Sequence, residues 1–545
     1  MIKSLFPSKT KVVVVPILGD KRVTLILVLV LCFAVVSIPQ IVVVNAEPKT
    51  IVVPDDYVSI QEAIDNADEG DTIFVKKGTY DGPINETLII DKTISLIGEG
   101  SSLIGEETTT LNLHPLLLNT TIFGQPYPTY NTSLIVESNN VTISGFTIKT
   151  PSPGGGISVI GDGIQITNCI INTPSLSLKG SYSTILDTFL IISNLIVKGS
   201  NQTIYQSIIF KGDMEIASSH NNITRNTIGN EIRLNGSYNI ISGNSFSRIF
   251  LEHSDSNTID NNTCSLIWVG LYGHTCSNNI ISGNILDGGY IWGILMGDGS
   301  YNLFYDNCIS NYGGSHDGYG VAIGGNHQVA ENNTFYHNTF VNNNNNVGYN
   351  WQILGTGNSW DNGKEGNYWD DYNGTDANGD GIGDTPYIID ENNQDNFPLM
   401  APIRSFDAGT WEYTDYRVDI ISNSTVSDFS FNHESALLQF DVEGEYGTTG
   451  FCRVTLPKDL LYAEGDWTVL VDGASVNSTL SEDINSTYIY FTYNHSTKTV
   501  EIIGTDAIAE FPSCTLLLIM LIGVVAAIVI YRRSLHKKNQ GRRNK

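Results

Sequence analysis

The chain has 545 residues, a formal net charge of −28 and only 16% charged residues. Such an acidic composition argues against nucleic acid as a partner, because phosphate backbones are held by clustered Lys and Arg. The length allows more than one domain, and the seven scattered cysteines offer neither a dense disulfide framework nor a CxxC metal pattern.

Lys3, Lys9, Lys11, Lys21 and Arg22 precede an apolar run from Val23 to Val44, and Val44-Asn45-Ala46 supplies small residues for cleavage. Residues 1–46 therefore read as a secretory signal peptide. An uncleaved signal anchor is the alternative, since the run is long enough to span a bilayer. From Glu47 to Pro512, 17 basic residues stand against 56 acidic ones, a balance of −39.

The next block, 51–80, opens a folded region. Ser59 and Glu62 form a capping box, and Ile60, Ala63, Ile64 and Ala67 share one helical face. Gly70-Asp71 turns the chain into a strand over Thr72–Val75. A short amphipathic helix here would cover the open end and bare edge of a solenoid. The block resembles the start of many pectin-lyase-like β-helix proteins. Residues 88–98 supply the first full rung, and 105–135, which lacks the repeat, is expected to loop outward.

From about Asn139 to Asn338 one short phrase recurs: NNVTISGFTI, SHNNITRNTI, SYNIISGNSF, SNNIISGNIL, SYNLFYDNCI. Each carries an apolar residue, a small residue or Asn three later, and a second apolar residue two beyond that. The second apolar positions read Ile148, Ile171, Ile191, Ile209, Ile228, Phe246, Cys264, Leu286, Ile309 and Phe335. Their spacing, roughly 18 to 26 residues, is that of a stacked repeat. The β-branched residues alternate with Thr and Ser, which makes each phrase a short strand with one buried face. Asn226, Asn244, Asn262, Asn284, Asn307 and Asn333 occupy the middle position. Asn tolerates left-handed backbone, and identical Asn on successive rungs form an amide ladder. A leucine-rich repeat has a similar half-phrase, but its leucine-rich second half is absent. The expected fold is all-β: a right-handed parallel β-helix solenoid with an N-terminal capping helix.

The solenoid ends in GNYWDDYNGTDANGDGIGDTPYIIDENNQDNFPLM (366–400). This block and the Asn-rich rungs before it resemble the NosD-type β-helix family, named for a periplasmic protein of copper-site maturation. That family lies in a wider group of carbohydrate-binding and sugar-hydrolysing β-helices. The resemblance covers about 50–400 and is distinctive for fold rather than function. It sets the solenoid and cap at 47–400. Residues 401–508 change to aromatic-rich alternating runs (ALLQFDV, WTVLVDG, TYIYFTY), the pattern of a small β-sandwich. A transmembrane segment is expected at 509–531, where Thr515–Tyr531 is apolar and Arg532-Arg533 follows. The basic tail 532–545 would then be cytoplasmic. AEFPS (509–513) resembles the PEF-type sorting tails of archaeal surface proteins, although Ala509 stands where those have Pro.

Sequons lie at Asn85, Asn119, Asn131, Asn140, Asn201, Asn222, Asn235, Asn261, Asn332, Asn373, Asn423, Asn477, Asn485 and Asn494. Their spread over the ectodomain agrees with an exported glycoprotein. The sharpest metal signal is Asp376, Asn378, Asp380, Ile382 and Asp384, with oxygen donors at alternate positions and Gly at the turn, which describes a structural calcium loop. Tyr387 stands where an EF-hand has its bidentate Glu. Copper, implied by the resemblance, finds little support, because Met is scarce and His316, His327 and His337 do not follow the rung length.

Phe250, Trp268 and Tyr290 each fall four residues after the last apolar position of a rung and should stack, with Trp292 and Tyr272 nearby. Outward, such a column is a platform for sugar rings; inward, which the sequence favours, it is core. Asp255, Asp260, Asp287, Asp298, Asp306 and Asp317, with Arg225, Arg233, Arg248 and His316, are available for catalysis but sit in no motif. The expected function is binding of polysaccharide or surface glycan by a membrane-anchored cell-surface glycoprotein, in adhesion or the envelope. A polysaccharide lyase or glycoside hydrolase is one alternative. A NosD-like copper-site maturation protein beside a transporter is the other.

Overall fold

The computed structural model describes residues 47–508, apart from 85, 102–107, 115–116, 123–124, 131, 151–154, 271–273, 290, 314–317, 325–329, 350–356 and 412–413. The signal, membrane segment and tail expected from sequence lie outside these residues. Among the described residues no helix is long and apolar enough to cross a membrane.

Alternation of apolar and polar residues over three to five positions yields short strands that stack in parallel, rung on rung, as three faces. Face one runs from Thr50–Val53 to Thr334–Tyr336, face two from Gly78–Ile84 to Tyr368–Trp369, and face three from Leu88–Ile90 to Asn345–Tyr349. Face two is held across its middle by single bridges from Thr227 to Ser245 to Thr263. Identical apolar residues lie in register: Ile166, Ile185, Ile204, Ile223, Ile241 and Ile259 form one column of face one, each at most 2% exposed. The chain is a parallel β-helix.

The helix Ile60–Asp65 begins where the sequence places it, with Ser59 Oγ accepting from Glu62 N at 3.1 Å. Ile60, Ala63 and Ile64 are buried, and the helix touches the first strands of all three faces. Three local expectations are corrected. Residues 105–135 do not simply loop outward, because Thr109–His114 is a strand of face two that buries Leu111 and Leu113. In the rung at 189–191 the buried member is Leu190 rather than Ile191, since three successive apolar residues hide the alternation. Phe335 belongs to face one, paired with Phe304, and Phe340 takes its place in face two.

Two asparagine ladders run along the solenoid. Asn226, Asn244, Asn262, Asn284 and Asn307 continue through Asn338 and Asn367, not through Asn333. Asn333 belongs to a second ladder with Asn221, Asn239, Asn257, Asn279, Asn302 and Asn358. From Asn221 and Asn226 to Asn333 and Asn338 the two run five residues apart, so within NNTFYHNTF either Asn reads as the middle of a phrase. Each amide bonds both neighbouring rungs. Asn244 Oδ1 accepts from Asn226 N at 2.9 Å, while its Nδ2 donates to Ile223 O at 2.7 Å and to Asn262 Oδ1 at 3.1 Å. Every polar atom of these buried side chains thus meets a partner.

At the C-terminal end the core closes with rings. Trp360 stacks on Phe335 at 4.5 Å, and Trp369 stacks on Phe340 at 4.3 Å with Tyr387 beyond it at 4.4 Å. Asp395, fully buried, receives the last ladder amide: Asn367 N and Trp369 Nε1 donate to its Oδ2 at 2.7 and 2.9 Å. Ile403 then begins two five-stranded antiparallel sheets that enclose a separate core of Val418, Ile420, Phe440, Val454, Ile489 and Val500.

A buried charge cluster joins this region to the solenoid. Glu365 bonds His337 Nε2 at 2.6 Å on one side and Arg453 Nη2, from the antiparallel region, on the other. Asp306 lies 3.6 Å from His337 Nδ1. Lys364 Nζ reaches Asp483 Oδ2 at 2.8 Å across the same junction. Burial alone would lower the His337 pKa, but the two carboxylates outweigh it and raise it to about 9. Burial likewise opposes ionisation of Glu365, yet His337 and Arg453 hold it down at about 2.

Two outcomes are expected. Asn262→Ala strands donors and acceptors on both neighbouring rungs and should cost roughly 3 kcal/mol or more, measured by urea denaturation. The junction should show a pH window. The contribution of His337 is complete below its ordinary 6.5 and lost as pH rises through about 9. That of Glu365 is complete above its ordinary 4.5 and lost as pH falls through about 2. The melting temperature should therefore fall between pH 7 and 9, and His337→Gly, which suits the left-handed backbone at φ 56° and creates no sequon, should flatten that fall.

Candidate functional site

Strand alternation fixes which side chains leave the core of face three. Ile232, Ile249, Ile267 and Leu251 point inward and are fully buried. Arg233, Phe250 and Trp268, in register on successive rungs, therefore point outward. This corrects the inward reading: Phe250 is 7% exposed, yet it is covered from outside rather than by the core. The guanidinium carbons of Arg233 and Arg248 lie 5.2 and 5.7 Å from its ring centroid. Trp268 is half-buried and 5.8 Å from Phe250, and half-buried Trp292 follows at 6.4 Å. Tyr290 and Tyr272 lie outside the described residues.

The charges over these rings are tied together. Buried Glu231 accepts from Arg233 Nη2 at 2.6 Å and Nε at 2.9 Å through Oε1, and lies 3.3 Å from Arg248 Nη2 through Oε2. Glu252 stands 3.7 Å from Arg233 Nη1. The hydrogen bond to Glu231 pushes the Arg233 pKa above its ordinary value against the opposing effect of burial. Two planar cations thus cover Phe250, and half-buried Trp268 and Trp292 continue the line beside them. The two Trp rings suit the C–H faces of a sugar, and the exposed guanidinium edges suit its hydroxyls. The sequence reading missed Glu231 and Glu252. The signal was Glu231-Ile-Arg233 and Arg248-Ile-Phe250, where the buried Ile sends its two neighbours to one outer face.

The other catalytic candidates do not converge. Asp255 accepts from Ser277 N at a corner, Asp287 bonds Ser310 and Asn311 on face two, and Asp306 attends His337. Arg225 bonds Tyr205 OH at 2.9 Å, and Asp317 and His316 lie outside the described residues. Among the described residues the soft donors are not gathered for copper. Met214 and Met296 are in the core, and His337 is held by Glu365. Burial pushes the thiols of Cys169 and Cys264 up to about 11 and 12, which keeps them protonated.

In the acidic loop, Asp376 accepts from Gly379 N, Asp380 N and Gly381 N at 2.8, 3.0 and 2.8 Å. Asp380 Oδ1 accepts from Ile382 N, Asp384 Oδ2 from Ala377 N, and Asn378 Nδ2 donates to Asp380 Oδ2. The loop lies against the antiparallel region, where a Cβ on Gly381 would meet Arg453 Cδ at 3.0 Å. Among the described residues no group of three or more His, Cys, Asp or Glu is gathered for a metal. Calcium here rests on the sequence pattern. Of the sequons, Asn85 and Asn131 lie outside the described residues, and every other one whose side chain is described is exposed. The ladder asparagines, all buried, form no sequon.

Residues 247–374 match the family described as periplasmic copper-binding protein (NosD). No curated protein matches the chain in sequence. Among solved structures the chain is similar to the A-module of Azotobacter vinelandii mannuronan C-5 epimerase AlgE6, at 12% identity over 56% of this chain and 93% of that one, with a TM-score of 0.45. It is also similar to the PL6 family alginate lyase AlyGC, at 14% identity over 68% and 55% of the two chains and a TM-score of 0.43. The Dettilon tailspike protein (gp208) matches at 11% identity over 83% and 93%, with a TM-score of 0.35. Residues 247–374 are thus similar to the NosD family, and they lie within a chain whose fold is a parallel β-helix.

Proposed function

We propose that this protein binds glycan at the cell surface through the outer side of face three. The observation that carries the reading is the outward line of Phe250, Trp268 and Trp292 beside guanidinium groups fixed by Glu231. Rings held on a rigid sheet lose little freedom when a ligand stacks on them, which favours affinity from a small contact. In this reading the chain is exported and held by the segment 509–531 with the tail 532–545 in the cytoplasm. The solenoid then projects its side wall toward polysaccharide or envelope glycans.

The test is titration calorimetry of the purified full-length protein in detergent with cellohexaose, chitohexaose and oligogalacturonate. At about 0.5–1.5 kcal/mol per stacked ring, Trp268→Ala with Trp292→Ala should weaken binding roughly 5-fold to 150-fold. Arg248→Met, which frees one edge of Glu231, should weaken it further. Equal affinity of the wild type and the double variant for every sugar would show that these rings do not meet the ligand.

A further inference from the structure

Between face three and face one the chain turns through two residues that recur in each rung. The first builds an outer ladder of hydroxyls and two carboxylates, Asp162 and Asp255. Ser200 N donates to Ser181 Oγ at 3.2 Å, Ser237 N to Ser219 Oγ at 3.0 Å, and Asp255 N to Ser237 Oγ at 3.2 Å. The second residue takes left-handed backbone on every rung from Asn140 to Asn332, with φ between 54° and 69°. Such a position favours Gly or Asn, and Asn140, Gly163, Asn201, Asn278 and Asn332 follow that rule.

Tyr182, Tyr238 and Tyr301 break it. Each is a bulky ring in a disfavoured conformation, with φ of 61°, 59° and 60°. Packing does not compensate, since the three are 68%, 59% and 64% exposed. His220 stacks on Tyr238 at 5.1 Å and is itself exposed. The three tyrosines are evenly placed. Rungs at 201 and 220 separate the first pair, and rungs at 256 and 278 the second. At about 4.8 Å per rung, neighbouring rings stand about 14 Å apart along the axis.

We propose that this corner is a second glycan-binding track, in which Tyr182, Tyr238 and Tyr301 stack against one neutral polysaccharide chain lying along the solenoid. Equal spacing fits a ligand made of repeating units. Exposed rings between hydroxyl and amide side chains match the alternating C–H faces and hydroxyl edges of sugars. Asp162 and Asp255 lie in the same corner and accept from Ser181 N and Ser277 N, so an anionic ligand would be disfavoured here. The track shares no residue with the line at Phe250, and either can fail alone.

The experiment uses the full-length protein carrying Trp268→Ala and Trp292→Ala, so that the other site is weakened. It is produced without Asn-linked glycans, because Asn201 is a sequon in the same column. Cellohexaose, chitohexaose and mannohexaose are titrated by calorimetry. Wild-type tyrosines should bind at least one of them. Tyr182→Gly with Tyr238→Asn and Tyr301→Asn should weaken that binding at least 10-fold while leaving the melting temperature unchanged or higher, because left-handed backbone is relieved. Glycine is used at 182 because Asn there would create the sequon Asn-Ser-Thr. The triple Tyr→Phe protein should retain affinity. Absence of binding to all three sugars, equal binding by the triple variant, or a melting temperature lowered by several degrees would each overturn the proposal.

Discussion

The structure depends on satisfying backbone polar groups at the inner corners of each rung. A three-faced solenoid must bend its chain beside a dry core, where an unmet N–H or C=O costs free energy of the order of a lost hydrogen bond. The side-chain amide of Asn solves this in both directions at once. Its oxygen accepts from the rung before, and its nitrogen reaches a carbonyl of that rung and the amide of the next. Two such ladders clamp the ends of face one, and the isoleucine columns between them are held at the spacing of a sheet.

That fixed spacing is what gives the outer surface its chemistry. Strands that cannot slip keep Arg233 over Phe250 and Phe250 beside Trp268 without any local loop to arrange them. The same frame carries Tyr182, Tyr238 and Tyr301 at one corner. Rigidity extends to the C-terminal region, because the Glu365 carboxylate bonds a solenoid histidine and an antiparallel-region arginine together. A glycan bound on the side wall would meet a surface that is already ordered.

Much of this was legible in the sequence, for physical reasons that differ by residue. Ile228 and Ile209 announce themselves because burial between rungs admits only apolar side chains at alternate positions. Ser59 is legible because capping is local. What failed was anything decided by residues on other rungs. Asn333 and Asn338 sit in equivalent phrases, and only the length of the preceding loop settles which ladder each joins. Phe250 looks the same facing in or out, and the deciding neighbours, Arg233 and Arg248, belong to strands whose register the sequence shows only indirectly. The Glu365–Arg453 pair joins residues 88 apart with no periodic signal between them. The terminal segments, where sequence speaks through composition, lie outside the described residues.

The ladder through Asn226 ends on Asp395. Up to that point every member both receives and passes on a hydrogen bond, so each rung is a template for another. A carboxylate receives but has no N–H to hand forward. In the language of polymers, Asp395 is a chain stopper: it completes the last growing unit and removes the means of adding the next. With Trp360 and Trp369 sealing the apolar bore behind it, two copies of this solenoid cannot prolong one another end to end at this terminus, and a fold built by repetition is given a finite length.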